Sequence, residues 1–268
     1  MLAIDLSVAP QHIRGMDFDI SRYLDEWEYQ PGKVAVRRFK TKGGKAKLQL
    51  RVDLGILQMN AEGRPDGKKP FGYTSLLEHH QARLYKHVAA HEGSDADFHL
   101  NAEECAKLQL EFLQYHHRYI CLLQLEDYAG VIRDAERNLA VCEFVKAHAE
   151  TDELAWSLLQ FQPQMLMILT RAKASQAVQN DDYDSALQAG EEGIERLKTF
   201  YRSSPNPDLA EHSAEIESLQ NWMEELRMRR PLSRRERLER ALHEAVKLED
   251  YEKAAKVRDE LRNLKSTD

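Results

Sequence analysis

Apolar residues recur at helical spacing over most of the chain, from Tyr73 almost to the C-terminus. Ser75 and Asn101 are residue types that favour the N-cap of a helix, and each precedes such an apolar run. Gly93 lies between them, where the first of these two helices should stop. A further apolar run starts at Thr151 or Asp152, and it should bend or break near Pro163. The pattern predicts a mainly α-helical chain.

One strong strand signal precedes these helices. An alternating run begins at Val34, residues 41–45 supply a flexible turn, and a return run alternates strictly from Leu48 to Ile56. This predicts a β-hairpin with one apolar face and one polar face, with Arg51 on the polar face. Because a two-stranded hairpin is marginally stable alone, we expect its apolar face to rest on the helices.

Three helices are each followed by a short acidic break that contains a tyrosine, and then by another helix. The breaks are Glu126-Asp127-Tyr128, residues 181–184 and residues 249–252. Each predicts a tight helical hairpin, in which an aspartate caps the second helix and the tyrosine ring packs between the two helices. Asp208 and Ser233 are further predicted N-caps.

The middle break resembles the tetratricopeptide repeat family. In that family small residues let paired helices approach closely, and Ala174 and Gly193 are small residues on either side of this break. The three tyrosines lie 55 and 68 residues apart, whereas the family repeats every ~34 residues. The resemblance implies tetratricopeptide-like hairpins with irregular linkers, and the alternative is a generic helical bundle with similar turns.

The third break lies in a segment that resembles the UVR motif. Leucines and alanines at helical spacing lead into the string from Asp250 to Asp259, which has an aromatic between acidic residues, then Ala-Ala, then Arg-Asp. UVR motifs are short helical hairpins of the excision-repair proteins UvrB and UvrC, of an arginine kinase activator and of Clp-type unfoldases. Tyr251 stands where the family often has phenylalanine. The resemblance covers Ser233 to Leu264 and implies a bacterial protein with a hairpin that pairs with another such hairpin.

This C-terminal hairpin carries more apolar surface than two helices can bury between themselves. Arg258 and Asp259 are suited to an ion pair that fixes the hairpin or sets the register of a partner. The alternative is that the apolar face packs on the preceding helix of the same chain. The candidate protein-binding residues are Leu242, Ala245, Leu248, Tyr251, Ala254, Ala255, Arg258, Asp259 and Leu261.

Charge is distributed unevenly along a chain whose net charge is -7. Residues 33–69 carry 11 Lys and Arg against 3 Asp and Glu, whereas residues 70–226 carry 12 against 27. A basic ribbon can grip a phosphate backbone. It can equally be a solubilising face, or dock onto the acidic body in the monomer or across a dimer. The candidate nucleic-acid-binding residues are Arg37, Arg38, Lys40, Lys42, Lys45 and Lys47.

The sequence has no Gly-rich phosphate loop, nucleophile elbow or paired-cysteine motif. His80, His87 and His91 share one helix face, but neither H-E-x-x-H nor a nearby thiol accompanies them. We therefore expect no catalytic, cofactor-binding or metal-binding residues, and a chain that is not an enzyme. The longest apolar run has five residues, Met165–Leu169, and the N-terminus lacks a signal-peptide pattern. We expect a cytoplasmic protein.

Together these patterns predict a mainly α fold: an array of antiparallel helical hairpins, with a small N-terminal β-hairpin and a C-terminal UVR-like helical hairpin. The expected segments are 1–72, 73–230 and 231–268. The hypothesis for function is a non-enzymatic protein–protein adaptor. Its C-terminal hairpin would pair, as in a coiled coil, with a like hairpin on a partner or a second copy. The alternative is a DNA-repair accessory protein that binds nucleic acid through the basic ribbon.

Overall fold

The structure is a computed structural model of the 268-residue chain, and it describes residues 19–231 and 234–265. It is mainly helical, with a small antiparallel sheet near the N-terminus, as predicted. The helices are α1 Ser21–Asp25, α2 Leu76–Ala90, α3 Ala102–Gln124, α4 Tyr128–His148, α5 Asp152–Leu159, α6 Gln162–Gln179, α7 Tyr183–Arg202, α8 Leu209–His212, α9 Ala214–Arg229, α10 Arg234–Lys247 and α11 Tyr251–Lys265. The chain forms two compact units, Met1–Ala172 and Lys173–Asp268. The predicted division at residues 72 and 230 stays a prediction.

The sheet consists of β1 Ala35–Lys40, β2 Ala46–Val52 and β3 Gly55–Asn60, antiparallel in that order. The prediction of one return strand to Ile56 is therefore wrong, because the chain turns at residues 53–54 and begins a third strand. Leu54 in this turn is 88% exposed. Val52 pairs with Gly55 across the two-residue loop, so Ile56 lies on the face of Arg51 and not on that of Leu48. Leu54 and Ile56 continue the apolar spacing of β2 along the sequence, and this spacing concealed the turn.

The apolar face of the sheet rests on helices of the first unit, as predicted. Leu48 of β2 and Met59 of β3 are buried in a cluster to which α3, α4 and α6 contribute. The buried members from these helices are Tyr119, Cys121, Leu122, Val131, Ile168 and Ala172. This contact supplies the packing against helices that a small sheet needs for stability.

Arg51 is buried, not exposed on a polar face as predicted. Its Nε donates to the carbonyl oxygen of Trp27 at 2.9 Å, and its Nη1 donates to that of Asp53 at 2.9 Å. The guanidinium also lies over the ring of Tyr29, 5.7 Å from its centroid. The segment before β1 therefore covers this face of the sheet, and the alternation of β2 contained no sign of that cover.

A buried ion pair joins α3 to α4 and fixes the loop that follows β3. Arg118 donates to Asp134 through Nε at 2.6 Å and through Nη2 at 2.8 Å, and both side chains are 1% exposed. The remaining nitrogen of Arg118, Nη1, donates to the carbonyl oxygens of Asn60 at 3.1 Å and Gly63 at 2.6 Å. One guanidinium thus ties the sheet to the helical pair.

A second buried carboxylate, Glu111 of α3, holds the start of α2. Its oxygens accept from the backbone N–H of Leu76 at 2.9 and 3.1 Å, and it forms salt bridges with Arg64, at 2.9 Å, and Arg137. Burial lowers the pKa of Arg137 to about 9, with Arg64 acting in the same direction. The guanidinium remains charged at neutral pH and continues to neutralise Glu111.

The breaks between helices lie where the sequence predicted them, but one predicted helix cap is wrong. Pro163 stands at the start of α6, after the predicted break between α5 and α6. Asp208, however, makes no capping hydrogen bond, and α8 is only a short helix. Ser213 caps α9 instead, since its Oγ accepts from the backbone N–H of Ile216 at 3.2 Å. The predicted cap Ser233 lies outside the described residues.

In the second unit, α7 and α9 approach closely at a glycine. Gly190 of α7 is buried, and a Cβ built there would lie 2.5 Å from the Sδ of Met223 in α9. Ala174, Ala186 and Leu226 form the buried cluster beside this contact. The glycine therefore allows α7 and α9 to pack closely, and these two helices are not the pair on either side of the middle break for which close approach was expected.

Candidate interaction surface

The three acidic breaks share one backbone geometry. Glu126, Asp181 and Glu249 have φ values of 55°, 58° and 57°, which is the left-handed region. In each break the next residue donates its backbone N–H to the carbonyl oxygen five residues earlier, at 2.9, 3.0 and 2.9 Å. This is the Schellman motif, which satisfies the last carbonyl groups of a helix. The breaks are thus three copies of one turn.

The aspartate of each turn then starts the following helix. Asp127, Asp182 and Asp250 each accept through Oδ1 from the backbone N–H three residues ahead, at 3.1, 3.0 and 3.0 Å. The prediction that an aspartate caps the second helix is confirmed in all three. Because the same residue ends one helix and caps the next, the turn is short and its geometry is fixed locally.

The first turn is covered by the sheet of its own unit. Leu125 and Tyr128 are half-buried against the cluster that contains Leu48 and Met59. Arg38 of β1 donates to Asp127 and forms a salt bridge with it. Burial opposes ionisation of Asp127, but the hydrogen bonds from Arg38 and from the backbone outweigh it and lower its pKa.

The second turn is covered by α9. Tyr183 is half-buried against the cluster of Ala174, Ala186 and Leu226. Arg230, at the end of α9, reaches Asp184 at 3.3 Å through Nη1. An apolar contact and an arginine from a third element therefore meet this turn as well.

The third turn is open within the described residues. Leu248 is 77% exposed and Tyr251 is 70% exposed. The prediction that this tyrosine ring packs between the helices is therefore wrong for the third copy. Residues 125–128 and 248–251 both read Leu-Glu-Asp-Tyr. This identity was the available signal that the two turns are equivalent, and the sequence analysis missed it.

The hairpin of α10 and α11 has a small interior. Its two helices pack against each other, and Ala245, Ala254 and Val257 are buried. Three further candidate residues are half-buried, namely Leu242, Ala255 and Leu261. The structure thus divides the predicted binding face into an interior, a partly covered flank and an exposed end.

The two charged candidates of the hairpin lie on its surface. The Nη2 of Arg258 is 3.2 Å from Oδ1 of Asp259, and both side chains are 61% exposed. They are neighbours on α11, so this ion pair does not join α10 to α11. An exposed pair of this kind contributes little to stability, which leaves both groups available to a partner.

The basic ribbon is partly engaged within the chain. Arg37 lies over the ring of Trp27, 4.3 Å from its centroid, and Arg38 binds Asp127. Lys47 donates to the side chain of Asn60. These contacts occupy three of the six candidate cations, and of the three only Arg38 meets a residue of the acidic body, Asp127. The other three, Lys40, Lys42 and Lys45, are exposed.

The histidines pack against neighbouring side chains. His87 and His91 stack with centroids 3.9 Å apart. His80 is buried, and its Nδ1 lies 3.0 Å from a guanidinium nitrogen of Arg83, which donates to it. Burial lowers the pKa of His80 to about 4. Among the described residues no group of three or more His, Cys, Asp or Glu side chains is placed to hold a metal ion.

The C-terminal hairpin matches a known family model. The model described as the UvrB/uvrC motif matches residues 233–267, and the UVR resemblance of this segment is therefore confirmed. Comparison with curated proteins and with solved structures gave no significant match. The tetratricopeptide-like character of the upstream helices stays a prediction. In the described part of the chain, no helix is long and apolar enough to cross a membrane.

Proposed function

We propose that this chain is a non-enzymatic adaptor and that its C-terminal UVR hairpin binds a like hairpin of a partner protein. The UVR motif is an interaction motif of UvrB and UvrC, which supports a protein partner. The helices before it would offer a second surface, so that the chain links two proteins.

The observation that carries this proposal is the exposed end of the hairpin. Leu248 and Tyr251 are 77% and 70% exposed, although the equivalent pair, Leu125 and Tyr128, is half-buried elsewhere in the chain. Burying one such side chain contributes about 1.5–3 kcal/mol. A partner that covers both would therefore gain about tenfold or more in affinity from each, and exposed aromatics of this kind are frequent binding hot spots.

Truncation after Arg230, followed by quantitative pull-down, tests the adaptor proposal. Partners of the hairpin should be lost from the truncated chain, and partners of the upstream helices should remain. Retention of every partner would contradict the proposal.

A point variant separates binding from folding. Tyr251→Ser in the full chain should lose the same partners as the truncation, because it removes an exposed ring and nothing from the interior. The matched control is Tyr85→Ser in α2, since Tyr85 is 77% exposed. Equal capture by the two variants would place the binding surface elsewhere.

A further inference from the structure

We propose that the free edge of β3 is a strand-docking site, and that residues 2–8 of the same chain occupy it as a fourth, antiparallel strand. This inference concerns the first unit and is independent of the adaptor proposal. It follows from the backbone groups along the edge, from a row of side chains that ends there, and from the sequence of the segment.

The outer side of β3 has open backbone groups. β3 pairs with β2, and Ala61 donates its N–H to the carbonyl oxygen of Ala46, the residue directly opposite, at 3.1 Å. Because hydrogen-bonded pairs alternate along an antiparallel ladder, the backbone groups of Ile56 and Gln58 point away from β2. Among the described residues none forms a backbone hydrogen bond with them on this side, whereas the N–H of Asn60 is already bound within the chain. An extended segment can therefore pair with the edge as far as residue 59.

The edge of β3 lacks the charges that protect the opposite edge of the sheet. β1 carries Arg37, Arg38 and Lys40, whereas β3 has no charged residue. Charged side chains keep an edge strand from pairing with further strands. Of the two edges, β3 is therefore the one that accepts another strand.

A row of side-chain hydrogen bonds crosses the sheet and ends at the same edge. Nε of Arg37 donates to Oε1 of Gln49 at 2.6 Å, and Nε2 of Gln49 donates to Oε1 of Gln58 at 2.7 Å. A guanidinium only donates hydrogen bonds, so the direction of the row is fixed and Gln58 presents its amide N–H groups to the open side. A carboxylate opposite Gln58 would complete the row.

The segment 2–8 has the sequence that this edge requires. Apolar residues alternate strictly with other residues along it, and the apolar ones are Leu2, Ile4, Leu6 and Val8. Strict alternation of this kind is typical of a half-buried β-strand. Asp5 supplies a carboxylate on the opposite side of the same strand.

One antiparallel register satisfies both faces of the sheet. With Asp5 opposite Gln58, the carboxylate ends the row of hydrogen bonds that starts at Arg37. Leu6 then lies opposite Leu57, on the face of the sheet that rests on the helices. Leu57 is 37% exposed within the described residues, so the contact removes apolar surface of both leucines from water.

The path of the chain agrees with this register. Val8 would lie opposite Gly55, where nothing is within 4 Å of an added Cβ. The guanidinium of Arg51 donates to the carbonyl oxygen of Gly55 at 3.3 Å and to that of Trp27 at 2.9 Å, so the segment before β1 passes the same end of the sheet. Residues 9–18 lead from one to the other and can span about 33 Å when extended, which is more than this path needs.

A disulfide between two introduced cysteines tests the contact in the full chain. Leu6→Cys and Leu57→Cys would face each other at a non-hydrogen-bonded pair, where the Cα atoms are about 4.5 Å apart, within the range of a disulfide. Oxidised glutathione should join them within one chain, and the three native cysteines are buried and should not compete. The matched control is Ser7→Cys with Leu57→Cys, which should stay reduced because the two side chains would point to opposite faces.

Exchange of single amide protons, followed by NMR, gives an independent measurement. The N–H groups of Ile56 and Gln58 should exchange slowly in the wild type. Ser7→Pro removes an N–H that would pair with Ile56, and it should speed exchange at both positions about tenfold or more. The N–H groups of Leu57 and Met59 point to β2 and should exchange slowly in both proteins.

Three results would overturn the inference. The first is fast exchange at Ile56 and Gln58 in the wild type, and the second is a control pair that oxidises as readily as Leu6→Cys with Leu57→Cys. The third is a disulfide that links two chains, since the strand would then come from a second copy.

Discussion

Replacement of Asp134 by alanine should destabilise the first unit strongly. The substitution removes the carboxylate that pairs with Arg118, whose side chain is 1% exposed. The guanidinium would stay buried over the ring of Tyr115, with the carbonyl oxygens of Asn60 and Gly63 as its hydrogen-bond acceptors. Carbonyl oxygens accept hydrogen bonds but do not neutralise the charge.

The expected loss is large because the charge left behind is buried. Removing one partner of a buried ion pair costs about 3–5 kcal/mol, which is a substantial part of the total stability of a typical domain, about 5–15 kcal/mol. Glu62→Ala is the matched control. Glu62 binds Arg133, the neighbour of Asp134, but its side chain is 79% exposed. Loss of that surface pair should cost about 1 kcal/mol or less.

Hydrogen exchange followed by mass spectrometry is the suitable assay, since it reports the opening of each segment separately. In Asp134→Ala, peptides covering residues 46–61 should lose protection together with those of α3 and α4, because Arg118 joins these segments. Peptides of α7 and α9 should change less. If these peptides were equally protected from hydrogen exchange in Asp134→Ala and Glu62→Ala, the buried pair would not be the main contact that holds the sheet on the helices.

Three further predictions test other parts of the account. The pKa of His80 is about 4 in the folded chain against 6.5 ordinarily, so protonation of the unfolded chain lowers the free energy of unfolding as the pH falls from 6.5 towards 4. Urea unfolding should show that, between pH 7 and 5, the free energy of unfolding of the wild type falls by about 2 kcal/mol more than that of His80→Gln. Equal losses in the two proteins would contradict this. Leu125→Ala should lower the free energy of unfolding by about 1–2 kcal/mol, whereas Leu248→Ala should change it by less than about 0.5 kcal/mol. Similar losses in the two variants would contradict the finding that the first turn is covered and the third is open. Fluorescence anisotropy should give a Kd for DNA no lower than about 100 μM at low salt. Tighter binding that weakens with salt, and that the double variant Lys42→Gln/Lys45→Gln abolishes, would favour the nucleic-acid alternative.

The local features of this fold could be predicted from the sequence. The cap of each acidic turn was predictable because the aspartate bonds to backbone only three residues ahead. The UVR segment was predictable because its residues stand in one continuous string. Both are determined by neighbours along the chain, where side-chain spacing is known in advance.

Features that depend on distant segments could not be predicted in the same way. Arg38 meets Asp127 from 89 positions earlier, so the sequence did not reveal that the first Leu-Glu-Asp-Tyr turn is covered and the last one open. Arg51 was assigned to solvent because the cover over it comes from Trp27, 24 positions away. The buried pair of Arg118 and Asp134 was not anticipated, since charged residues are ordinarily placed on the surface.

Site-specific photo-cross-linking tests the central claim most directly, namely that the open end of the UVR hairpin is a binding surface. A photoreactive amino acid would replace Leu248, which is 77% exposed, and in a matched chain Leu54, which is 88% exposed in the turn between β2 and β3. The account predicts a protein cross-link from position 248 that Tyr251→Ser reduces, and none from position 54. No cross-link from position 248, or equal cross-linking from both positions, would contradict it.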